Sequence, residues 1–182
     1  SPKERKGKWN KILTLKNSPV LNKYNFLFKD NNLTLTFGVK EILTIDINQP
    51  SERGELVNKI VELESSLKES IVLMKNIEFP FFDTSVSNKV EFANSVSLLN
   101  MQSINDFQNK IDKEIEIPRF RGNIYVDGIK AWEERNWIGQ IIKINNVSFK
   151  VEKNIPRCVA INLKPKTDDN SLNLLQSLKK TY

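Results

Sequence analysis

Short stretches in which apolar and polar residues alternate make up much of the chain, and this alternation is typical of half-buried β-strands. The sequence Asp30-Asn31-Asn32 predicts a turn between two such stretches, and Asn145-Asn146, which tolerates positive φ, predicts a hairpin. The first half of the chain therefore resembles a β-meander. The predicted strands are residues 9–15, 24–29, 33–37, 41–47, 71–74, 96–99, 119–128, 141–144 and 147–151.

Helical spacing of apolar residues is found in two places. Ser51 is a good N-cap, and the apolar positions 56, 60, 63 and 67 follow it, so a helix is predicted to begin there. A second helix is predicted over 103–113, and an irregular connection over 79–83. Because short strands outnumber helices, the predicted fold class is mainly β with a few helices, in the form of a β-barrel or closed sheet.

The amino-acid composition is that of an ordinary globular protein. It has 182 residues, of which 39% are hydrophobic and 27% charged. No apolar stretch approaches the ~18 to 20 residues that a membrane span needs, so no membrane association is expected. A single free cysteine survives best in a reducing compartment, which predicts a cytoplasmic location.

The net charge of +6 is unevenly distributed. Residues 3–16 contain six basic residues and one acidic residue, which suits either a nucleic-acid arm or a solvated terminus. Residues 138–166 again contain six basic residues and one acidic residue, and they surround the lone cysteine, Cys158. This second cluster favours an anionic ligand near the thiol.

The chain has no histidine and one cysteine, and these two counts exclude most enzyme chemistry. Serine and cysteine triads, histidine-based zinc and iron sites, disulfides and CxxC redox pairs are all excluded. A lone thiolate can still attack an electrophile, or bind a soft metal whose other ligands come from a cofactor. Cys158 is therefore the main candidate for chemistry, although a lone cysteine is more often a small buried apolar residue.

Several motifs of the second half occur in an order that resembles one family. They are Arg119-Phe-Arg-Gly-Asn-Ile-Tyr-Val-Asp-Gly, Trp132-Glu-Glu, Trp137-Ile-Gly, and Pro156-Arg-Cys-Val followed by Asn162 and Pro165. The order resembles the MOSC family, named for the C-terminal domain of molybdenum cofactor sulfurases. It is similar to the group that includes amidoxime-reducing components and bacterial stand-alone MOSC proteins.

The resemblance predicts two portions of the chain. Residues 79–182 match a MOSC domain, and residues 1–78 resemble in general layout the β-rich N-terminal portion of longer members. A basic cofactor-contacting loop of those members is not found in 1–78. We therefore expect either that the chain is a fragment or that part of the cofactor site is absent.

The resemblance also implies a β-barrel that binds the molybdenum cofactor, with Cys158 as both the metal ligand and the catalytic residue. A guanidinium binds phosphate bidentately, so Arg121 is the main candidate for the pterin phosphate and Arg119 the second. Ser103 matches a cofactor-facing helix start, although it could simply cap its helix. The full set of implied cofactor contacts is Arg121, Arg119, Asn123, Arg157, Asn162 and Ser103.

Two functions follow from the resemblance. The first is a molybdenum oxidoreductase that acts on N-hydroxylated or related small molecules and takes electrons from a redox protein. The second is a carrier of the cofactor, or of sulfur held as a Cys158 persulfide. The family's pyridoxal-phosphate desulfurase domain is not found in this chain, so a separate desulfurase would have to donate the sulfur. Nucleic-acid binding is disfavoured, because aromatic and basic residues do not alternate along the predicted strands.

Overall fold

The computed structural model describes residues 13–67, 71–73 and 95–182. These residues divide into two compact units. The first unit combines the described residues up to position 73 with residues 163–170, and the second combines 95–162 with 171–182. The predicted boundary between residues 78 and 79 lies outside the described residues, as do the predicted connection 79–83 and most of the basic segment 3–16.

The first unit is an antiparallel meander covered by one helix. Its strands are β1 (Tyr24–Lys29), β2 (Asn32–Phe37) and β3 (Lys40–Asp46), and the sheet order is β1-β2-β3. Leu35 and Ile45 point from the sheet toward Leu56 of helix α1 (Pro50–Leu63), and these three residues form the buried core of the unit. The turn between β1 and β2 places Asp30 and Asn31 at φ 49° and 65°, as their short polar side chains allow.

Helix α1 begins two residues earlier than predicted, because its N-cap is Gln49 and not Ser51. Pro50 opens the helix, and Gln49 precedes it without a side-chain cap, so the prediction of Ser51 as N-cap is wrong. Proline suits this position because its missing N–H would have no partner there. The Glu52 carboxylate instead ties the first turn to the end of β3, since it accepts a hydrogen bond from the Asp46 N–H at 2.6 Å.

The second unit contains a parallel strand pair and a separate hairpin. Strand β4 (Leu98–Asn100) leads directly into helix α2 (Met101–Ile111), and β5 (Ile124–Val126) pairs with β4 in parallel. The hairpin follows, with β6 (Ile141–Ile144) and β7 (Val147–Lys150) joined through Asn145 at φ 52°. Helix α3 (Leu174–Thr181) then packs on the core of this unit. That core consists of Leu99, Ile104, Phe107, Ile115, Phe120, Ile161 and Leu174.

Three further features differ from the sequence prediction. Residues 119–128 are not one strand: a 3-10 helix covers Ile117–Phe120, Arg121 turns the chain at φ 52°, and only Ile124–Val126 is extended. Residues 71–73 are not in a strand. Helix α3 was not predicted, although Asn173 is a good N-cap and the leucines at positions 174, 175 and 178 have helical spacing.

The predicted meander, the hairpin and helix α2 are confirmed. Over residues 13–67, 71–73 and 95–182 the strands form sheets of three, two and two strands beside three α-helices. These sheets do not close into a barrel, so the mainly β barrel is not confirmed. Of the helices in the described part of the chain, none is long and apolar enough to cross a membrane.

Candidate functional site

Cys158 lies where the chain, after the β6–β7 hairpin, enters the short 3-10 helix Val159–Asn162. Its carbonyl oxygen accepts a hydrogen bond from the Ile161 N–H at 3.2 Å, which fixes the backbone at the start of the turn. Ile161 is buried in the core, whereas Cys158 is a free, partly exposed cysteine. The turn therefore holds one end in the core and leaves part of the cysteine accessible.

The guanidinium of Arg157 is fixed beside this cysteine. Its Nη1 donates a hydrogen bond to the Phe120 carbonyl at 3.1 Å, and its central carbon lies 5.9 Å from the centroid of the Phe120 ring. Burial lowers the pKa of Arg157, while the negative charges of ionised Cys158 and Tyr125 act in the opposite direction. Arginine stays protonated at neutral pH even so. Arg157 therefore places a permanent positive charge beside Cys158.

The segment after Phe120 is held tightly against β4. Arg121 is exposed and adopts φ 52°, and its N–H donates to the Pro118 carbonyl at 3.0 Å. A Cβ atom on Gly122 would lie 2.5 Å from Cδ1 of Leu99, so a larger residue fits only if the buried leucine moves. The Gly122 N–H donates to the Tyr125 hydroxyl at 3.2 Å. The backbone is thus fixed while the Arg121 side chain stays at the surface.

We call Phe120, Arg121, Tyr125, Arg157 and Cys158 the Cys158 cluster. Sequence reasoning identified its two arginines and its cysteine but missed both aromatic residues. Phe120 and Tyr125 stand in the same motif as Arg121, so the motif itself was the available signal. The cluster places one fixed cation, Arg157, beside the cysteine, and the Phe120 carbonyl ties this cation to the motif that contains the exposed Arg121. A cation beside a cysteine suits an anionic ligand that carries a thiophilic centre.

The structure gives Arg119 and Asn162 internal partners. Arg119 is buried, its Nε donates to the Glu116 carboxylate at 2.5 Å, and its Nη1 donates to the Asn162 carbonyl at 2.5 Å. The Asn162 side chain accepts from the Leu175 N–H at 3.0 Å. These bonds join the 3-10 helix Ile117–Phe120 to the turn after Cys158. Both residues therefore support the backbone on either side of the Cys158 cluster.

Asn123 and Ser103 are also engaged within the protein. The Asn123 Oδ1 accepts from the Ser97 N–H at 3.0 Å and from the Ser97 hydroxyl at 2.8 Å. The Ser103 hydroxyl is buried, donates to Glu134 at 2.7 Å and accepts from the Trp132 N–H at 2.8 Å. The proposed roles of these two residues as cofactor contacts stay predictions.

Ser103 belongs to a buried polar network that the sequence did not reveal. Asn100 caps α2 by accepting from the Gln102 N–H at 3.0 Å, and its Nδ2 donates to Glu134 at 2.9 Å and to the Lys130 carbonyl at 2.9 Å. The same loop contains Trp132, whose backbone adopts φ 67°. Buried polar groups need such partners, so this network fixes the loop 128–137 on the start of α2.

A second, more exposed network surrounds Asp106 of α2. One carboxylate oxygen accepts hydrogen bonds from the Tyr182 hydroxyl and, at 2.6 Å, from the Trp132 indole N–H, and it forms an ion pair with Lys110 at 3.0 Å. These bonds lower the pKa of Asp106 from 3.8 to about 2, with the Tyr182 bond as the largest cause. The Arg135 guanidinium lies 4.4 Å from the Trp132 ring. This network joins α2, α3 and the loop 128–137.

The described residues contain no group of three or more His, Cys, Asp or Glu side chains that could hold a metal ion by themselves.

Comparison with known proteins identifies the family. A family model of the MOSC domain matches residues 85–181, which is more than half of the chain. The chain belongs to the MOSC family. The MOSC match includes every residue of the Cys158 cluster, and it confirms the resemblance found in the sequence motifs.

Two curated relatives match part of this MOSC chain. Mitochondrial amidoxime reducing component 2 of Bos taurus is 29% identical over 109 residues, which cover 60% of this chain and 31% of the relative. The protein of the same name from Rattus norvegicus is 32% identical over 72 residues, which cover 40% of this chain and 21% of the relative. The chain thus spans about a third or less of the length of these relatives. No solved structure matches the chain.

Proposed function

We propose that this MOSC chain binds a molybdenum cofactor through the thiolate of Cys158 and acts as an oxidoreductase on N-hydroxylated or related small molecules. One observation carries the proposal: a partly exposed cysteine stands beside a fixed guanidinium within the MOSC match. The names of the two relatives, which describe amidoxime reduction, support the reaction class.

The residues of the Cys158 cluster fit this cofactor. A thiolate is a suitable ligand for a soft, sulfur-rich metal centre, and Arg157 places a positive charge beside it. Arg121 is exposed and could bind the phosphate of the pterin from the surface. Arg119 is paired within the protein, so the role of phosphate ligand falls to Arg121.

When bound, the cofactor would supply the two-electron chemistry, in which an N–OH group takes up two electrons and two protons and becomes N–H plus water. The electrons would come from a separate redox protein. The chain itself would contribute three functions. Cys158 would ligate the metal, and Arg157 would place a positive charge beside it. The hydrogen bonds of Asn162 to Arg119 and Leu175, and that of Asn123 to Ser97, would keep the two supporting segments in place.

Metal analysis tests this proposal. The chain should be purified from a host that makes the cofactor, and molybdenum and pterin should be measured per mole of protein. We expect bound metal in the unmodified chain and none in Cys158→Ser, while the neighbouring exposed variant Val159→Ala should retain it. Arg121→Gln should reduce pterin retention, and the matched surface variant Lys143→Gln should not. Full metal retention in Cys158→Ser would contradict the proposed ligation.

A second candidate function is a carrier that holds sulfur on Cys158. The observation that favours it is that Arg119, Asn123, Asn162 and Ser103 all use polar atoms within the protein, which leaves fewer groups for a pterin. In this function the Cys158 thiolate would attack a desulfurase persulfide, take its terminal sulfur and release the donor thiolate. Metal-free protein that gains one labelled sulfur atom, and does not gain it as Cys158→Ser, would favour the carrier over the oxidoreductase.

We also propose that the chain works in the reducing cytoplasm, because the lone cysteine must stay reduced in either function. Subcellular fractionation followed by detection of the chain should place it with the cytoplasmic markers. Recovery of the chain in another compartment would contradict this location.

A further inference from the structure

A groove of about 450 Å³ lies on the first unit, at the end of the sheet where β2 turns into β3. Its volume is within the range of small-molecule sites. The groove belongs to a unit that contains none of the Cys158 cluster, so it is independent of the proposed cofactor site. Of the residues that line it, the side chains that carry its chemistry are Tyr24, Phe37, Ile42, Lys40 and Lys59.

The strand register aligns three of these side chains across the sheet. Tyr24 of β1 pairs with Phe37 of β2, and Phe37 pairs in turn with Lys40 of β3. Residues directly opposite in a sheet point to the same face. The two rings are 5.7 Å apart at an angle of 53°, and Phe37 is 52% exposed. The row therefore presents aromatic surface that ends in an ammonium group.

The charges at the groove favour an anion. Glu41 pairs with Thr36, so it lies on the opposite face of the sheet, and its carboxylate accepts a hydrogen bond from the Thr44 hydroxyl at 2.9 Å. Lys59 of α1 is paired with Glu62 at 2.9 Å. Within the described part of the chain, Lys40 has no ion-pair partner. Lys23 lies 5.9 Å from the Tyr24 ring but is paired with Glu64 at 2.9 Å, so Lys40, opposite Phe37, is the uncompensated cation of this row.

We propose that this groove binds a small planar aromatic acid, with its ring against Phe37 and Tyr24 and its acid group paired with Lys40. An aromatic ring prefers an offset or edge-on aromatic partner, which the tilted pair offers. A carboxylate, sulfonate or phosphate at the edge of the ligand would form an ion pair with Lys40, at the end of the row Tyr24-Phe37-Lys40. This site lies outside the activity proposed above and would bind its ligand with or without a metal centre.

Calorimetric titration of the full chain with 2-naphthoate and with its neutral analogue 2-naphthamide tests this site. We expect saturable binding of naphthoate, and weaker binding of naphthamide by about three- to fivefold, the range of a partly exposed charge pair. Lys40→Gln should weaken naphthoate by the same factor and should bind both probes equally. Lys29→Gln removes an exposed lysine outside the groove and should change neither affinity. Phe37→Ala should lose both probes while its circular dichroism stays unchanged.

Several outcomes would overturn the site. Absence of saturable naphthoate binding would do so, and so would an unchanged naphthoate affinity in Lys40→Gln. Equal losses in Lys40→Gln and Lys29→Gln would show a general effect of charge instead of a site. The result is independent of molybdenum, so it can fail while the proposed function stands.

Discussion

Replacement of Asp106 by asparagine should make the stability of the second unit less dependent on pH. The substitution keeps the shape of the side chain and an oxygen that can accept from Trp132 or Tyr182. It removes the negative charge, and with it the ion pair to Lys110 and the strength that charge adds to the two hydrogen bonds. The loss of stability in Asp106→Asn should therefore depend on pH.

The lowered pKa of Asp106 determines how much stability the carboxylate contributes and in which pH range it does so. A pKa lowered from 3.8 to about 2 corresponds to at most about 2.4 kcal/mol at ~1.36 kcal/mol per unit. Since 32% of the side chain is exposed, solvent screening reduces this to about 1 kcal/mol. Because the folded pKa is the lower one, this stability is present above pH 3.8 and is lost as the pH falls through about 2.

Urea unfolding followed by tryptophan fluorescence measures this effect directly, because Trp132 donates to Asp106. At neutral pH, Asp106→Asn should unfold with about 1 kcal/mol less free energy, or a melting temperature ~2 to 4 °C lower. As the pH falls through about 2, the difference between the two proteins should shrink toward zero. Glu114→Gln, an exposed acid of the same unit, serves as the control and should follow the unmodified protein throughout. A constant difference between Asp106→Asn and the unmodified protein at all pH values would refute the reasoning.

Three further predictions concern the site and its support. Gly122→Ala should reduce the free energy of unfolding by about 1 to 3 kcal/mol, because its Cβ would overlap Leu99, and equal stability in chemical denaturation would contradict the close approach. Arg157→Gln should slow alkylation of Cys158 at neutral pH by about two- to fivefold, the effect of a partly exposed charge pair, and an unchanged rate would show that the guanidinium does not act on the thiol. Asn100→Ala should cost about 2 to 4 kcal/mol in thermal unfolding, because it removes a helix cap and two buried hydrogen bonds, and a loss below ~0.5 kcal/mol would contradict its role.

The fold could be predicted from sequence where local chemistry determines it. Strand β1 coincides with its prediction, and the hairpin around Asn145-Asn146 was found because these residues tolerate positive φ. The segment 119–128 was misjudged because Arg121, a residue with no special preference for positive φ, adopts 52° there. Its conformation follows from the packing of Phe120 and Gly122, and such tertiary effects leave no periodic signal.

Residue type and motif order singled out Cys158, Arg157 and Arg121 as candidate ligands, and these roles stay predictions. The residues that support the backbone around them were not recognisable from the sequence. The distinction between Arg121 at the surface and Arg119 in the interior was not recognisable either, because it depends on Glu116 and the Asn162 carbonyl. The latter is a contact across 43 positions of sequence. Partners so distant in sequence become visible only when the chain is folded.

The first unit takes residues 163–170 from late in the sequence, after the turn that carries Cys158. Asn22 binds this late segment, because its Nδ2 donates hydrogen bonds to the Lys164 carbonyl at 2.8 Å and to the Thr167 carbonyl at 2.7 Å. Neither unit can therefore be expressed as one uninterrupted stretch of its own residues. A chain cut between the two units would leave the first unit without residues 163–170, or would leave these residues on the second unit without Asn22 to bind them. Shortened versions for crystallisation should therefore keep both units in one polypeptide.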